Sequence, residues 1–215
     1  GFLMPLGVSF SVWFFFICGI VQRWIFTRVG MDIGSGDVWN SGGGPPAIMH
    51  QQAGALMVLV GYVLWTARRH LRGLVHQALH GKSTGGSEVV SPRTAVLGFL
   101  FGVLLLIAWL TYTGLSLYVS LLLVLGALIV YIGVARIVCE AGLPGVQTPM
   151  VPQAYITRGF GPGVLGLQNM TGLGLSTVWI GAGGITTMIS AMLHTLKLKA
   201  TEERPDRRLP WAFLL

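Results

Sequence analysis

Hydrophobic and polar positions fall along this chain in long blocks. Leu3 to Phe26 is apolar almost without interruption, long enough to cross the ~30 Å hydrocarbon core of a bilayer as a helix. It carries Trp13, Phe14, Phe15 and Phe16 and ends at Gln22, Arg23 and Trp24. Gly30 to Pro46 follows as GMDIGSGDVWNSGGGPP, too rich in Gly and Pro for regular structure. A second helix is predicted to start near Ala47, just after the proline pair. It is apolar from Ala53 to Trp65 and continues as ARRHLRGLVHQALHGK. In that continuation Leu71, Leu74, Val75 and Leu79 share one helical face. Arg68, Arg69, Arg72, His76 and His80 occupy the rest. The basic stretch should leave the bilayer and meet lipid headgroups, before a polar linker from Lys82 to Pro92.

The third predicted span covers Thr94 to Tyr112 and the fourth Leu115 to Cys139, joined tightly through Thr113-Gly114. Gly98 and Gly102 form a GxxxG pair of the kind that permits close helix approach. The pattern then breaks. Residues 141–166 read AGLPGVQTPMVPQAYITRGFGPGVLG, with four prolines and six glycines, a density no straight helix survives. The last apolar segment, Leu167 to Leu196, is interrupted at Gly181-Ala182-Gly183-Gly184. A basic tail of Lys197, Lys199, Arg204, Arg207 and Arg208 follows.

Charge placement makes this break informative. The 68–93 extension and linker hold five Lys/Arg, so they should be cytoplasmic. The loop with Asp32 and Asp37 and the uncharged 113–114 turn then face outward, and the fourth span ends inside near Arg136 and Glu140. One further helix would leave the basic tail outside, against the charge rule. Either residues 141–166 cross as a broken span, or 167–196 folds back at its glycines as a re-entrant pair. Both need non-helical backbone at membrane depth, which is tolerated only inside protein or along a water-filled cavity.

Composition agrees with the pattern. Of 215 residues 53% are hydrophobic and 10% charged, against about 25% charged in soluble domains. That excludes an ordinary soluble enzyme, a disordered chain and a disulfide-rich secreted module. The net charge of +7 is explained by basic loops beside a membrane, so no nucleic-acid partner is expected. Cys18 and Cys139 lie in apolar segments and read as small buried hydrophobes. The chain opens GFLMPLGVSF and closes RRLPWAFLL, which reads as one transmembrane domain, 1–215, cut from a longer chain.

Several residues are candidates for chemistry. Arg136 and Glu140 stand four apart near a membrane edge, where an ionisable pair marks either a functional site or an interfacial i,i+4 anchor. Gln168 and Asn169, with Thr171, Ser176, Thr177, Thr186, Thr187 and Ser190, place amides and hydroxyls along the last segment. They line a polar path or bond neighbouring helices. His50, beside Gln51 and Gln52 where the second helix begins, and His194 are the candidates for holding a pigment or haem. His76 and His80 have i,i+4 spacing but lie among arginines, so no metal site is expected. The GxGxxG of Gly161, Gly163 and Gly166 follows no strand. No HExxH or Walker motif occurs, and no catalytic activity or bound cofactor is expected.

Four stretches carry a resemblance: PLGVSFSVWFFF at 5–16, WTARRHL at 65–71, ARIVCEAGLPGVQTPMVPQAYIT at 135–157 and ISAMLHTLKLK at 189–199. Together they resemble an uncharacterised, planctomycete-type family of large polytopic bacterial membrane proteins, with Arg136…Glu140-Ala141-Gly142-Leu143-Pro144 the most specific piece. The resemblance implies a fold type and no reaction. A looser similarity links the last segment to the oligopeptide transporter superfamily, whose defining tripeptides are absent. The expectation is an all-α polytopic membrane protein of five or six transmembrane helices in a bacterial inner membrane. It is a transporter-like module with its site at 141–166 and 181–184, in contact with lipid and with the rest of a longer chain or other membrane subunits. The alternatives are a structural subunit of a larger membrane complex or a pigment- or haem-binding subunit. Gly/Pro-broken apolar segments point to substrate sites in transporters.

Overall fold

The computed structural model describes residues 6–30, 46–80, 91–141, 146, 148, 150–178, 192 and 195. Among them every regular element is a helix: α1 (Leu6–Val29), α2 (Pro46–His80), α3 (Pro92–Tyr112), α4 (Leu117–Ala141), α5 (Pro152–Phe160) and α6 (Pro162–Ser176). The first four are long and apolar enough to cross a membrane, so the protein is an all-α polytopic membrane protein. Each matches a predicted span, with the ends moved by a few residues. Gly181–Gly184, Thr186, Thr187, Ser190 and His194 lie outside the described residues.

Local chemistry sets the element ends. Ser91 caps α3 by accepting the Thr94 N–H on its hydroxyl at 3.3 Å, and Pro92 occupies the first turn, where its missing N–H costs nothing. At the other end Leu115 N donates to Leu110 O at 3.2 Å and Gly114 N to Thr111 O at 3.1 Å. Gly114 adopts φ +102°. This is the paired hydrogen-bond pattern of a glycine-terminated helix, and it turns the chain into α4 within four residues.

α4 is the centre of the fold, with ten buried residues from Val119 to Ala141. Leu110, Leu115, Val119, Leu123, Val124 and Ala127 form one apolar cluster with Ile156, Leu165 and Leu173 of the later helices. Val130, Val134 and Val138 form a second cluster with Leu56 of α2. A Cβ on Gly133 would come within 2.5 Å of Leu56 Cδ1 and 3.2 Å of Val60 Cγ2, so a larger residue would force those side chains, or α2 itself, to shift. Gly98 and Gly102 meet nothing within 4 Å among the described residues. The close approach predicted for them falls on α4 instead, because their face of α3 has no neighbour among the described residues.

α1 has no buried residue among those described. Trp13, Phe15 and Phe16 stand exposed, as expected of an apolar surface whose solvent is lipid. The same inversion corrects the reading of the two cysteines. Cys18 and Cys139 are unpaired as expected, but both are exposed rather than buried, since an apolar residue on a spanning helix need not face inward.

After Ala141 the chain retraces α4. Val146 packs on the cluster of Val130, Val134 and Val138. Pro152 lies 3.2 Å from where a Cβ on Gly126 would stand, and Ile156 joins Val119 to Ala127. The path runs from the C-terminal half of α4 toward its N-terminal half. Residues 146, 148, 150 and 151 on this path are not helical, and Thr148, Met150 and Val151 are buried.

Candidate functional site

α5 and α6 form the floor of the candidate site. α5 starts at Pro152, which cannot donate to a preceding turn, and ends at Gly161 with φ +77°. α6 then runs to Ser176 with a non-helical residue at Gly166, φ 72° and ψ 163°. That conformation is open mainly to glycine, and the regular helix resumes at Leu167. Within the predicted break at 141–166 the described residues form a non-helical strip at 146, 148, 150 and 151, a nine-residue helix and two glycine bends.

Between the two short helices lies a buried polar group. Gln153 is fully buried and its Nε2 donates to Ser176 Oγ at 2.9 Å. Ser176 Oγ in turn donates to Leu173 O at 2.7 Å. A hydroxyl has one proton to give, and Leu173 O receives it. The amide must therefore present its NH₂ to Ser176, which orients Gln153 and points Oε1 elsewhere. Gln153 Oε1 is buried and has no hydrogen-bond partner among the described residues, and the same is true of the Tyr155 hydroxyl. A buried polar atom without a partner costs ~1–3 kcal/mol, and native proteins keep few of them. Thr157 by contrast is satisfied, donating to Gln153 O at 3.0 Å.

The sequence-derived candidates do not gather in one place. Asn169 is buried and engaged through both its amide oxygen and its amide nitrogen. Its Oδ1 accepts Ser116 N–H at 2.9 Å, and its Nδ2 donates to Leu165 O at 2.7 Å and to Tyr118 Oη at 3.5 Å. Gln168 donates to Gly114 O at 2.8 Å. These two side chains clamp α6 to the α3–α4 corner and satisfy backbone groups that the turn leaves open. Arg136 and Glu140 pair with each other as i and i+4 on α4. They stand ~30 and ~36 Å along that helix from Ser116, and about half of each side chain is exposed. His50 is exposed at the start of α2.

Gln153, Tyr155 and Thr148 are not singled out by the sequence pattern. The available signal is a glutamine and a tyrosine inside the Pro/Gly-dense QTPMVPQAYIT run, where polar side chains at membrane depth need a reason.

These features define a class: a polytopic helical membrane protein with an irregular, buried segment packed on its central helix. The chain belongs to a family of unknown function, DUF6785, whose family model matches residues 1–215. No curated protein matches the chain, and no solved structure does.

Proposed function

We propose that the protein is a transporter-like module of the bacterial cytoplasmic membrane. Its solute site would lie where 146–176 packs along α4, around Gln153. The observation that carries this reading is the oriented, fully buried Gln153 amide with an open Oε1, beside backbone that is not helical. Irregular backbone at membrane depth is stable only inside protein or beside a cavity, and transporters place their sites at such breaks. In this reading 142–160 serves as the broken crossing that brings the basic tail back to the cytoplasmic side. The module catalyses no bond cleavage and holds no cofactor.

A single cysteine at position 153, in a chain with Cys18→Ser and Cys139→Ser, tests the reading in native membranes. A site that opens to water during transport makes that cysteine react with a small, membrane-impermeant thiol reagent. A cysteine that stays inert in intact and in permeabilised membranes contradicts it.

The second reading is a structural subunit, and α1 favours it. None of its described residues is buried, and Phe10, Trp13 and Phe14 form a contiguous aromatic face. That face would seat another membrane chain. The position-153 experiment separates the two readings, because a purely structural interior stays dry.

A further inference from the structure

We propose that Arg69 and Arg72 of α2 form a binding site for the phosphate of an anionic phospholipid. α2 has 35 residues and is ~52 Å long, so it overshoots the ~30 Å hydrocarbon core. Trp65 is 68% exposed and marks the level at which the helix leaves that core, where Trp residues concentrate. Arg69 and Arg72 lie ~6 and ~10 Å further along the axis. The headgroup layer is ~5–7 Å thick on each side, and an arginine reaches back several ångströms toward it.

Among the described residues, the other arginines on this side of the membrane are engaged. Arg68 lies 4.2 Å over the Trp65 ring and donates from Nη1 to Trp65 O at 2.9 Å. Arg93 Nε donates to Ala78 O at 2.9 Å, and Arg136 is held by Glu140. Arg69 and Arg72 are exposed and make no hydrogen bond or ion pair among the described residues. At i and i+3 they share a face. α2 carries no Asp or Glu along its whole length, so nothing on it competes for the two guanidiniums. Two planar forks side by side match the oxygens of a phosphate. A phosphate that bears net charge is preferred to a zwitterionic headgroup, whose choline repels the same pair.

The test uses the full chain in neutral detergent, titrated with phosphatidylglycerol, phosphatidylcholine or inorganic phosphate while its melting temperature is followed. Phosphatidylglycerol should stabilise at a concentration at least ~10-fold below phosphatidylcholine, since each basic residue near an anionic surface contributes about fivefold. The double variant Arg69→Gln/Arg72→Gln should lose that preference, and Arg68→Gln should keep it. High salt should weaken it in the wild type. Equal responses to the two lipids overturn the proposal. So does a preference that survives in the double variant, or a full effect from inorganic phosphate alone. A loss of self-association in the double variant, without any lipid preference in the wild type, would instead identify a protein contact and also overturn it.

Discussion

Replacing Gln153 by leucine should leave the protein about as stable as before or slightly more stable. The substitution removes one hydrogen bond, from Nε2 to Ser176 Oγ at 2.9 Å. Such bonds in helical membrane proteins average ~0.6 kcal/mol, with a ceiling of ~1.7. Ser176 keeps its own donated bond to Leu173 O at 2.7 Å, so no new donor is orphaned. The substitution also removes Oε1, which is buried without a partner among the described residues and costs ~1–3 kcal/mol. Leucine is of similar volume and suits the surroundings. The net change runs from a loss of ~0.6 kcal/mol, where water in an open site already bonds Oε1, to a gain of ~2 kcal/mol, where nothing does. Ser176→Ala behaves differently, because it strands the amide NH₂ as well and should destabilise by ~1–3 kcal/mol. Reversible unfolding in mixed micelles measures both. A Gln153→Leu variant destabilised by more than ~2 kcal/mol is incompatible with this balance. It would mean that a protein N–H or O–H holds Oε1 in the folded protein and closes it to a solute.

Three further outcomes follow from the packing. Asn169→Ala should cost ~1–3 kcal/mol by unfolding in micelles, because it strands the Ser116 N–H behind a buried side chain. Gly133→Ala should destabilise by ~1–3 kcal/mol through overpacking against Leu56, whereas Gly98→Ala, with open space around it, should change stability by less than ~0.5 kcal/mol. Arg136→Ala should also cost no more than ~0.5 kcal/mol, the range of an i,i+4 helix pair, since the half-exposed pair with Glu140 is screened. A larger loss would place Arg136 in a buried network.

The four long helices were legible because each is an apolar block of membrane length, and the 113–114 turn because a single glycine separates two such blocks. The absence of a straight helix over 141–166 was legible for a related reason: glycine and proline density excludes one whatever surrounds it. The site was less legible. Polarity alone marks Gln168 and Asn169, but polarity does not say whether an amide serves a backbone group or a ligand. Here both serve the α3–α4 corner. Gln153 is hidden because α5 has only nine residues, too few for a periodic pattern to show which face is inward. Close helix approach depends on a partner side chain from elsewhere in the chain. Spacing therefore points to Gly98 and Gly102, while the fold uses Gly133. Arg136 and Glu140 show the limit of proximity in sequence: four residues apart, they satisfy each other.

The most direct test of a solute site at the broken segment is an experimental density map of the protein in a lipid nanodisc, at a resolution that shows ordered water. A solute site places a water or solute oxygen or nitrogen within hydrogen-bond distance of Gln153 Oε1, in a cavity reached from one side of the membrane. A dry, closely packed contact around that oxygen, with a protein N–H or O–H filling it, excludes such a site.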